Sequence, residues 1–208
     1  MSTAQVVGAS GAILLGAIAP GPDFVIMARN SIISGRRAGL ATGAGAALGI
    51  FVWAVLTGLG VAGLLAASAT AFTVVKLIGA AYLVFLGLRA LLAARRGGYA
   101  VDLESDTPRI STYMAFRQGL LNNLLNPKAA VFYVALLPQF LPAVVSVTDS
   151  IEIGVTAATV TGAWYTALAL GIGTLRRALT RNVVRRAIDA TVGTVMIGLG
   201  MRIALQTN

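Results

Sequence analysis

The sequence has no cysteine and no histidine among its 208 residues. Without thiols there is no disulfide and no thiolate metal site. Without imidazoles the Ser-His-Asp hydrolases and the histidine-ligated zinc and haem proteins are excluded. Charged residues are scarce as well, at 11% of the chain, which is about half the share of an average soluble domain. We therefore expect no cofactor and no bound metal, and any proton held inside a membrane must sit on a carboxylate or a lysine.

Hydrophobic residues, in contrast, make up 57% of the chain, and many of its 24 glycines lie within long apolar runs. Such runs are typical of membrane helices, whose backbones approach one another closely at small residues. The composition predicts an all-α protein with several helices spanning a lipid bilayer. The net charge of +9 fits this class, because the basic residues are spaced as in membrane-protein loops. No nucleic-acid partner is expected.

A helix needs about 20 mostly apolar residues to cross the hydrocarbon core. Four segments meet this requirement without interruption. Two more are long enough only if a break is accepted, so we predict six transmembrane helices with helices 1 and 4 broken mid-membrane. The uninterrupted segments are Leu40–Leu65, Val74–Leu92, Ile153–Leu175 and Val183–Leu205, and the interrupted ones are Val6–Ala28 and Gln118–Leu141.

Basic residues are concentrated on one side of these spans. Thirteen of the sixteen lie in or beside the connections between spans one and two, three and four, and five and six. The positive-inside rule makes that side cytoplasmic. An even number of spans then places both termini on the other side. We predict a multi-pass protein of the cytoplasmic (inner) membrane with both termini outside.

The two halves of the chain resemble each other. A shift of 111 residues aligns the only two tryptophans, Trp53 with Trp164, and a shift of 105 aligns Pro22 with Pro127. A three-helix unit that is repeated once must be inverted, because three spans carry the chain across the membrane. We predict one transmembrane domain, 1–208, with repeat one at 5–92, a cytoplasmic loop at 93–112 and repeat two at 113–206. A shift of 113 aligns Gly87 with Gly200, Lys76 with Asp189, and Arg89 with Arg202.

Both interrupted segments contain a proline where a new helix can begin. Proline inside a helix costs about 3 kcal/mol or more, but it costs little at the first helical position, and asparagine is a favoured N-cap. Asn126-Pro127-Lys128 therefore predicts the capped start of a second half-helix, and Pro20-Gly21-Pro22-Asp23 predicts another. Each start directs the positive end of a helix dipole into the membrane, where it favours an anionic group such as a substrate carboxylate.

Two charged residues lie at these breaks, where insertion costs about 2.5–3.5 kcal/mol per charge. Under the repeat offset Asp23 and Lys128 fall within two residues of each other, so we expect them to face each other near the pseudo-two-fold axis. One interpretation is a permanent ion pair that fixes the packing. In the other, Asp23 binds a substrate ammonium or a proton, while Lys128 and the helix start capped by Asn126 bind the carboxylate.

The remaining polar residues near the breaks have two interpretations each. Asn122 and Asn123 either line the same cavity or satisfy backbone groups that the break leaves free. Lys76 and Asp189 lie near predicted helix ends, from which their side chains can reach the membrane interface, and we assign them no chemistry.

At these motifs the sequence resembles the LysE/RhtB family of bacterial amino-acid exporters. The first half carries Pro-Gly-Pro-Asp at 20–23 and Gly-Arg-Arg-Ala-Gly at 35–39. The second half carries Asn-Leu-Leu-Asn-Pro-Lys-Ala-Ala at 123–130 and Leu-Pro-Gln-Phe at 137–140. The resemblance covers essentially the whole chain. It implies efflux of amino acids or their derivatives across the cytoplasmic membrane, driven by the proton gradient.

The leading hypothesis is a secondary transporter that exports a small amino acid or derivative by alternating access, coupled to protons. Its one well-placed carboxylate, Asp23, favours a neutral substrate such as homoserine or threonine over lysine. The alternative is a cation or metal exporter on the same scaffold, since Asn122, Asn123 and Asn126 offer amide oxygens. A membrane enzyme is disfavoured, because there is no Gly-x-Gly-Asp motif and no serine close in sequence to Lys128. The sequence leaves a homo-oligomer open.

Overall fold

A computed structural model of the chain describes residues 1–19, 21–96, 108–142, 144–179 and 182–205. These residues form eight α-helices and one short 3-10 helix, and this part of the chain contains no strand. The first four helices are α1 (Thr3–Ile18), α2 (Pro22–Ile33), α3 (Arg36–Ala67) and α4 (Ala69–Arg96). The second half contains α5 (Thr112–Leu124), α6 (Pro127–Leu136), the 3-10 helix Leu137–Phe140, α7 (Val147–Leu179) and α8 (Asn182–Leu205).

Four of these helices, α3, α4, α7 and α8, are long and apolar enough to cross a membrane singly. The pairs α1 with α2 and α5 with α6 each add one span if a bent pair is counted as one, which gives up to six. The bends measure 63° and 55°. The predicted all-α architecture with two broken helices is therefore confirmed. The long helices exceed their predicted bounds, because a 32-residue helix such as α3 is about 48 Å long and extends past a core of about 30 Å.

The breaks have the local structure that the sequence predicts. Pro22 is the first residue of α2, after an N-cap at Gly21, and Pro127 is the first residue of α6, after an N-cap at Asn126. In both places the proline lies where a helix has no intrahelical partner for a backbone N–H, so its missing donor costs nothing. Pro20, also predicted to form a break, lies outside the described residues.

Helix α3 packs along both α7 and α5 in the middle of the bundle. Glycines allow these close approaches: Gly43 lies against Tyr165 of α7, and Gly45 lies against the backbone of Phe116 and Leu120 in α5. These contacts are the use that glycines within apolar runs predict, namely the close approach of helix backbones. This close packing holds α5 against α3 up to the residue where α5 ends.

The interface between α4 and α8 has the symmetry of an inverted repeat. The helices are antiparallel and meet at glycines. The shift of 113 residues aligns Gly87 with Gly200, and it also aligns the residues that these two glycines touch. The contacts of Gly87 are therefore equivalent to the contacts of Gly200. Gly87 approaches Gly193 and Ile197, and Gly200 approaches Ala80 and Val84. The repeat boundaries at 5–92 and 113–206 stay a prediction.

One helix pair packs differently in the two halves. Helix α6 packs on α4, where Gly79 lies directly against Ala135. The repeat equivalents of these helices are α2 and α8. In the described part of the chain a cavity of about 710 Å³ lies between them, lined by residues of both. The two halves therefore have the same helices in two different arrangements.

The start of the chain and the start of α7 lie at the same end of the bundle. The Met1 amine donates hydrogen bonds to Glu152 Oε2 at 3.0 Å and to Asp149 Oδ1 at 3.1 Å. The bonds to Glu152 and then to Asp149 raise the pKa of this amine above its usual value. This arrangement agrees with the predicted topology, in which the N-terminus and the beginning of the fifth span share a side.

The α4–α8 interface predicts different effects at two glycines of α8. A Cβ at Gly200 would lie 2.7 Å from the Ala80 carbonyl oxygen, whereas a Cβ at Gly198 would meet nothing within 4 Å. Gly200→Ala is expected to lower the free energy of unfolding by about 1–3 kcal/mol through overpacking. Gly198→Ala should be neutral or slightly stabilising, because alanine favours helix. Thermal unfolding of both variants in the same detergent measures the difference, and equal midpoints would contradict the interface.

Candidate functional site

The carboxylate of Asp23 lies in a cage of three asparagine side chains. Asn122 Nδ2 donates to Asp23 Oδ1 at 2.7 Å, and the Nδ2 groups of Asn123 and Asn126 both donate to Asp23 Oδ2 at 3.0 Å. Asp23 belongs to the first turn of α2, where the helix dipole favours a negative charge. Four residues that the sequence predicts for the site are therefore in direct contact at the point where both broken helices bend.

Asn126 has two roles, and one of them fixes the other. Its Oδ1 accepts a hydrogen bond from the Lys128 backbone N–H at 3.0 Å, which caps the start of α6. Because the oxygen is used in this way, the Nδ2 group is the one that faces Asp23. The cap of the second half-helix thus also binds the acid of the first, and the geometry of one break depends on the other.

Asn123 is placed by its neighbours on α3. Its side chain is only 1% exposed, and its Oδ1 lies 2.7 Å from where a Cβ of Gly49 would be. A Cβ at position 49 would therefore force the side chain of Asn123 to shift. The indole Nε1 of Trp53 donates to the Asn123 carbonyl oxygen at 3.4 Å, close to the end of α5. Asn123 therefore borders the central cavity, as the first sequence-based interpretation has it, while its own carbonyl oxygen also accepts the Asn126 backbone N–H at 3.0 Å.

Lys128 binds a backbone acceptor, whereas Asp23 binds side-chain donors. Its Nζ donates to the carbonyl oxygen of Ala19 at 3.1 Å, and Ala19 is the C-cap of α1. A cation in the first turn of α6 opposes the dipole of that helix, but the ammonium reaches the negative end of α1 instead. Among the described residues it forms no salt bridge with Asp23. The expected proximity is observed, whereas the direct ion pair is not formed in this structure.

The two charges occupy equivalent positions of the repeat. With Pro22 aligned on Pro127, Asp23 aligns with Lys128. Asp23 binds amide donors at the end of α5 and the start of α6, and Lys128 binds the carbonyl at the end of α1. Each charged residue at the start of a second half-helix is thus bound by the end of the first half-helix of the other repeat.

Two cavities meet at this crossing point. A central cavity of about 40 Å³ is bordered by Asp23, Asn123, Tyr133 and Tyr165. The cavity of about 710 Å³ extends from Asn122 toward the end of the bundle where α2 and α4 end and α8 begins. Both cavities are lined by Lys128 and, in addition, by Ala19, Gly21 and Asn126. The hydrogen bond from Lys128 to Ala19 therefore lies where the two spaces adjoin.

One charged residue lies elsewhere than the sequence predicts. Its place near a helix end predicts that Asp189 can reach the membrane interface, but only 1% of it is exposed, and it lines the large cavity together with Arg29 and Arg89. The error has a physical reason, because distance from a helix end does not specify which face of the helix a residue occupies. Val192 and Met196, at spacings of three and seven residues from Asp189, line the same cavity. That spacing is the signal that could have placed it.

Helices that break in the membrane and direct their ends at a polar centre are typical of secondary transporters. The fold and the site together define a polytopic membrane protein with this arrangement of helices. The family profile of the LysE type translocators matches residues 14–207, and the chain belongs to this family. The resemblance inferred from the motifs is thereby confirmed.

Relatives of known sequence are similar along most of the chain. An uncharacterized membrane protein of Vibrio cholerae is 35% identical over 191 residues, covering 90% of both chains. The uncharacterized membrane protein YrhP of Bacillus subtilis is 28% identical over 196 residues, covering 90% of this chain and 92% of its own. A homoserine/homoserine lactone efflux protein of Salmonella typhimurium is 36% identical over 124 residues, 60% of this chain and 58% of that protein. No solved structure matches the chain significantly.

The cage predicts that Asn126 is more important for stability than Asn122. Asn126→Ala removes both the α6 cap and a hydrogen bond to a charged group, and should lower the free energy of unfolding by about 2–3 kcal/mol. Asn122→Ala removes one hydrogen bond only and should cost about 1–2 kcal/mol. Unfolding in detergent with increasing denaturant would measure both variants. Equal losses would show that the cap contributes nothing beyond the bond to Asp23.

Proposed function

We propose that the chain is a secondary transporter that exports a small amino acid or derivative across the cytoplasmic membrane by alternating access, coupled to protons. Both termini lie outside in this proposal, and the large cavity faces the cytoplasm. The substrate is moved without being chemically changed. Membership of a translocator family and the similarity to a protein named as an efflux protein support export in general.

The observation that carries the proposal is the cage around Asp23. A carboxylate offers about four acceptor positions, and the three amides occupy three of them. Asp23 is thereby held in one orientation with an acceptor position left for a ligand. A substrate ammonium, or a proton in its absence, is the group that this position suits. Competition between the two for one carboxylate gives a simple basis for coupling.

The opposite charge of an amino acid has its own partner. An ammonium group has three donors, and Lys128 uses one of them on Ala19. The other two remain for a carboxylate that enters from either cavity. The start of α6 adds the positive end of its dipole at the same place. An acid and a base at equivalent positions of the two repeats therefore match the two charges of a zwitterion.

The structure of the site favours an amino acid over the alternative cation or metal cargo. In the cage, all three asparagines present Nδ2 donors to Asp23, so their oxygens do not converge on a shared point. Divalent cations are held by several oxygen ligands that do converge. In the residues that the structure describes, no group of three or more acidic, histidine or cysteine residues is arranged to hold a metal.

Alternating access is supported by the unequal arrangement of the repeats. Helix α6 packs on α4, while the equivalent α2 and α8 stand apart across the large cavity. If the halves exchange their arrangements, α2 closes on α8 and α6 leaves α4, which opens a cavity on the other side of the membrane. Under the repeat offsets the contact of Ala135 with Gly79 becomes one of Asn30 with Val192. One turn away, Ile26 and Met196 already line opposite walls of the cavity.

Flux measurements test the role of Asp23. In everted membrane vesicles the wild-type protein should accumulate a radiolabelled amino acid from a panel, and dissipating the pH gradient should abolish accumulation. Asp23→Asn removes the charge and should lower the transport rate about 10- to 150-fold. This factor corresponds to the free energy of one hydrogen bond to a charged group. Asp149→Asn, the same change at another helix start, serves as the matched control. A well-expressed Asp23→Asn variant with normal flux would refute this role.

Cross-linking tests the movement, and the absence of native cysteine makes introduced thiols unique. Disulfide or short bismaleimide bridging of Ile26→Cys with Met196→Cys should hold α2 against α8 and stop transport, because the large cavity cannot reopen. Reduction of the disulfide should restore transport, and each single variant provides a control. Full activity of the bridged protein would show that these helices do not separate during the cycle.

A further inference from the structure

The large cavity between α2, α4 and α8, which we call the vestibule, has three distinct zones. Its volume of about 710 Å³ lies in the range of about 300–1,000 Å³ that is usual for small-molecule sites. One end is polar and is formed by Ala19, Asn122, Asn126 and Lys128. The opposite end is a charged mouth, and the long stretch between the two is apolar. A passage that only admits water and ions does not need an apolar stretch of this kind.

The central cavity beside Asp23 cannot hold an amino acid in this structure. Its volume of about 40 Å³ is enough for one or two water molecules. A substrate that arrives through the vestibule therefore first places its charged groups at the polar end, where Lys128 has donors that Ala19 does not use. With the charged groups fixed there, the side chain has to lie along the apolar stretch.

The apolar stretch has aliphatic walls on three helices. Tyr82 of α4 also lines the cavity, and its hydroxyl is a polar group in the wall. Five other side chains form the apolar stretch: Val25 and Ile26 of α2, Leu86 of α4, and Val192 and Met196 of α8. None of these five replaces a hydrogen bond that a substrate hydroxyl or amide makes to water. A polar substrate side chain would therefore lose hydrogen bonds here, whereas an aliphatic one would be removed from water.

We propose that the vestibule is the substrate site in this conformation and that it selects neutral α-amino acids with aliphatic side chains, in the size range from valine to methionine. Ile26, Leu86 and Met196 are then the specificity-determining residues. This inference rests on the proposed function and narrows its substrate class. It departs from the expectation of homoserine or threonine, because both of those side chains carry a hydroxyl.

The charges of the vestibule oppose a cationic side chain. Among the lining residues that the structure describes, Arg29 and Arg89 lie at the mouth, Lys128 lies at the polar end, and Asp189 is the acid. A lysine-like substrate would bring a second ammonium close to these three cations. A neutral aliphatic side chain meets no such opposition.

Substrate preference in reconstituted proteoliposomes tests the proposal. For the wild-type protein, kcat/KM for leucine should exceed that for threonine by at least about 10-fold. Leu86→Phe narrows the vestibule and should lower the leucine-to-alanine ratio of kcat/KM about 10-fold, and Leu86→Ala should shift this ratio the other way. Leu88 is two residues away on α4 and 50% exposed, so the same two substitutions there should leave the ratio unchanged. A ratio within one variant is independent of the amount of folded protein.

The outcomes separate the two proposals. If the wild-type protein transports threonine or homoserine as efficiently as leucine, the aliphatic selection is wrong and the exporter remains. If the Leu86 variants change all rates equally, the residue acts only in the closure of the cavity, and the specificity role is wrong. If the wild-type protein shows no saturable flux of any amino acid while it is folded and reconstituted, the proposed function itself fails.

Discussion

The structure depends on the need to satisfy two opposite charges at the centre of a bundle of largely apolar helices. Asp23 is bound by amides at the end of α5 and the start of α6, and Lys128 is bound by the carbonyl at the end of α1. The contact of Lys128 with a carbonyl and the cap formed by Asn126 are not available to a continuous helix, because only a helix end has free backbone groups and room for a cap. The breaks at Pro22 and Pro127 supply these ends. Gly49, against the side chain of Asn123, then provides the space that the cage requires.

The sequence was sufficient for the fold because each signal had one physical cause. Apolar length gave the spans, and proline after a capping residue gave the helix starts at 22 and 127, where the structure has them. The same motifs identified Asp23 and its three asparagines. The sequence could not show that Lys128 binds the backbone of Ala19, since a carbonyl oxygen is present at every residue. It also misplaced Asp189, whose burial depends on how α8 is rotated about its axis and not on its position along it.

The difference between the halves shows where the structure has adaptable contacts. Helices α3 and α5, and likewise α4 and α8, meet at glycines that lie against the backbone of the partner helix, and such interfaces tolerate little movement. The faces of α2 and α8 that line the vestibule carry larger aliphatic side chains and are not in close contact. A tightly packed frame thus supports a pair of helices whose apolar faces can meet either each other or a ligand. Stability and function are assigned to different interfaces of the same bundle.

The charge reversal between positions 23 and 128 also bears on how such a protein can be assembled. A bundle made from two identical halves would place two aspartates, or two lysines, at its centre, and like charges at that depth repel strongly. Two identical halves with aspartate would contain two amide cages and no contact between a lysine and a carbonyl oxygen. Two identical halves with lysine would contain the reverse. Only two unlike halves give both. Joining them in one chain secures a one-to-one ratio of the two halves, because each acid is made together with its complementary base.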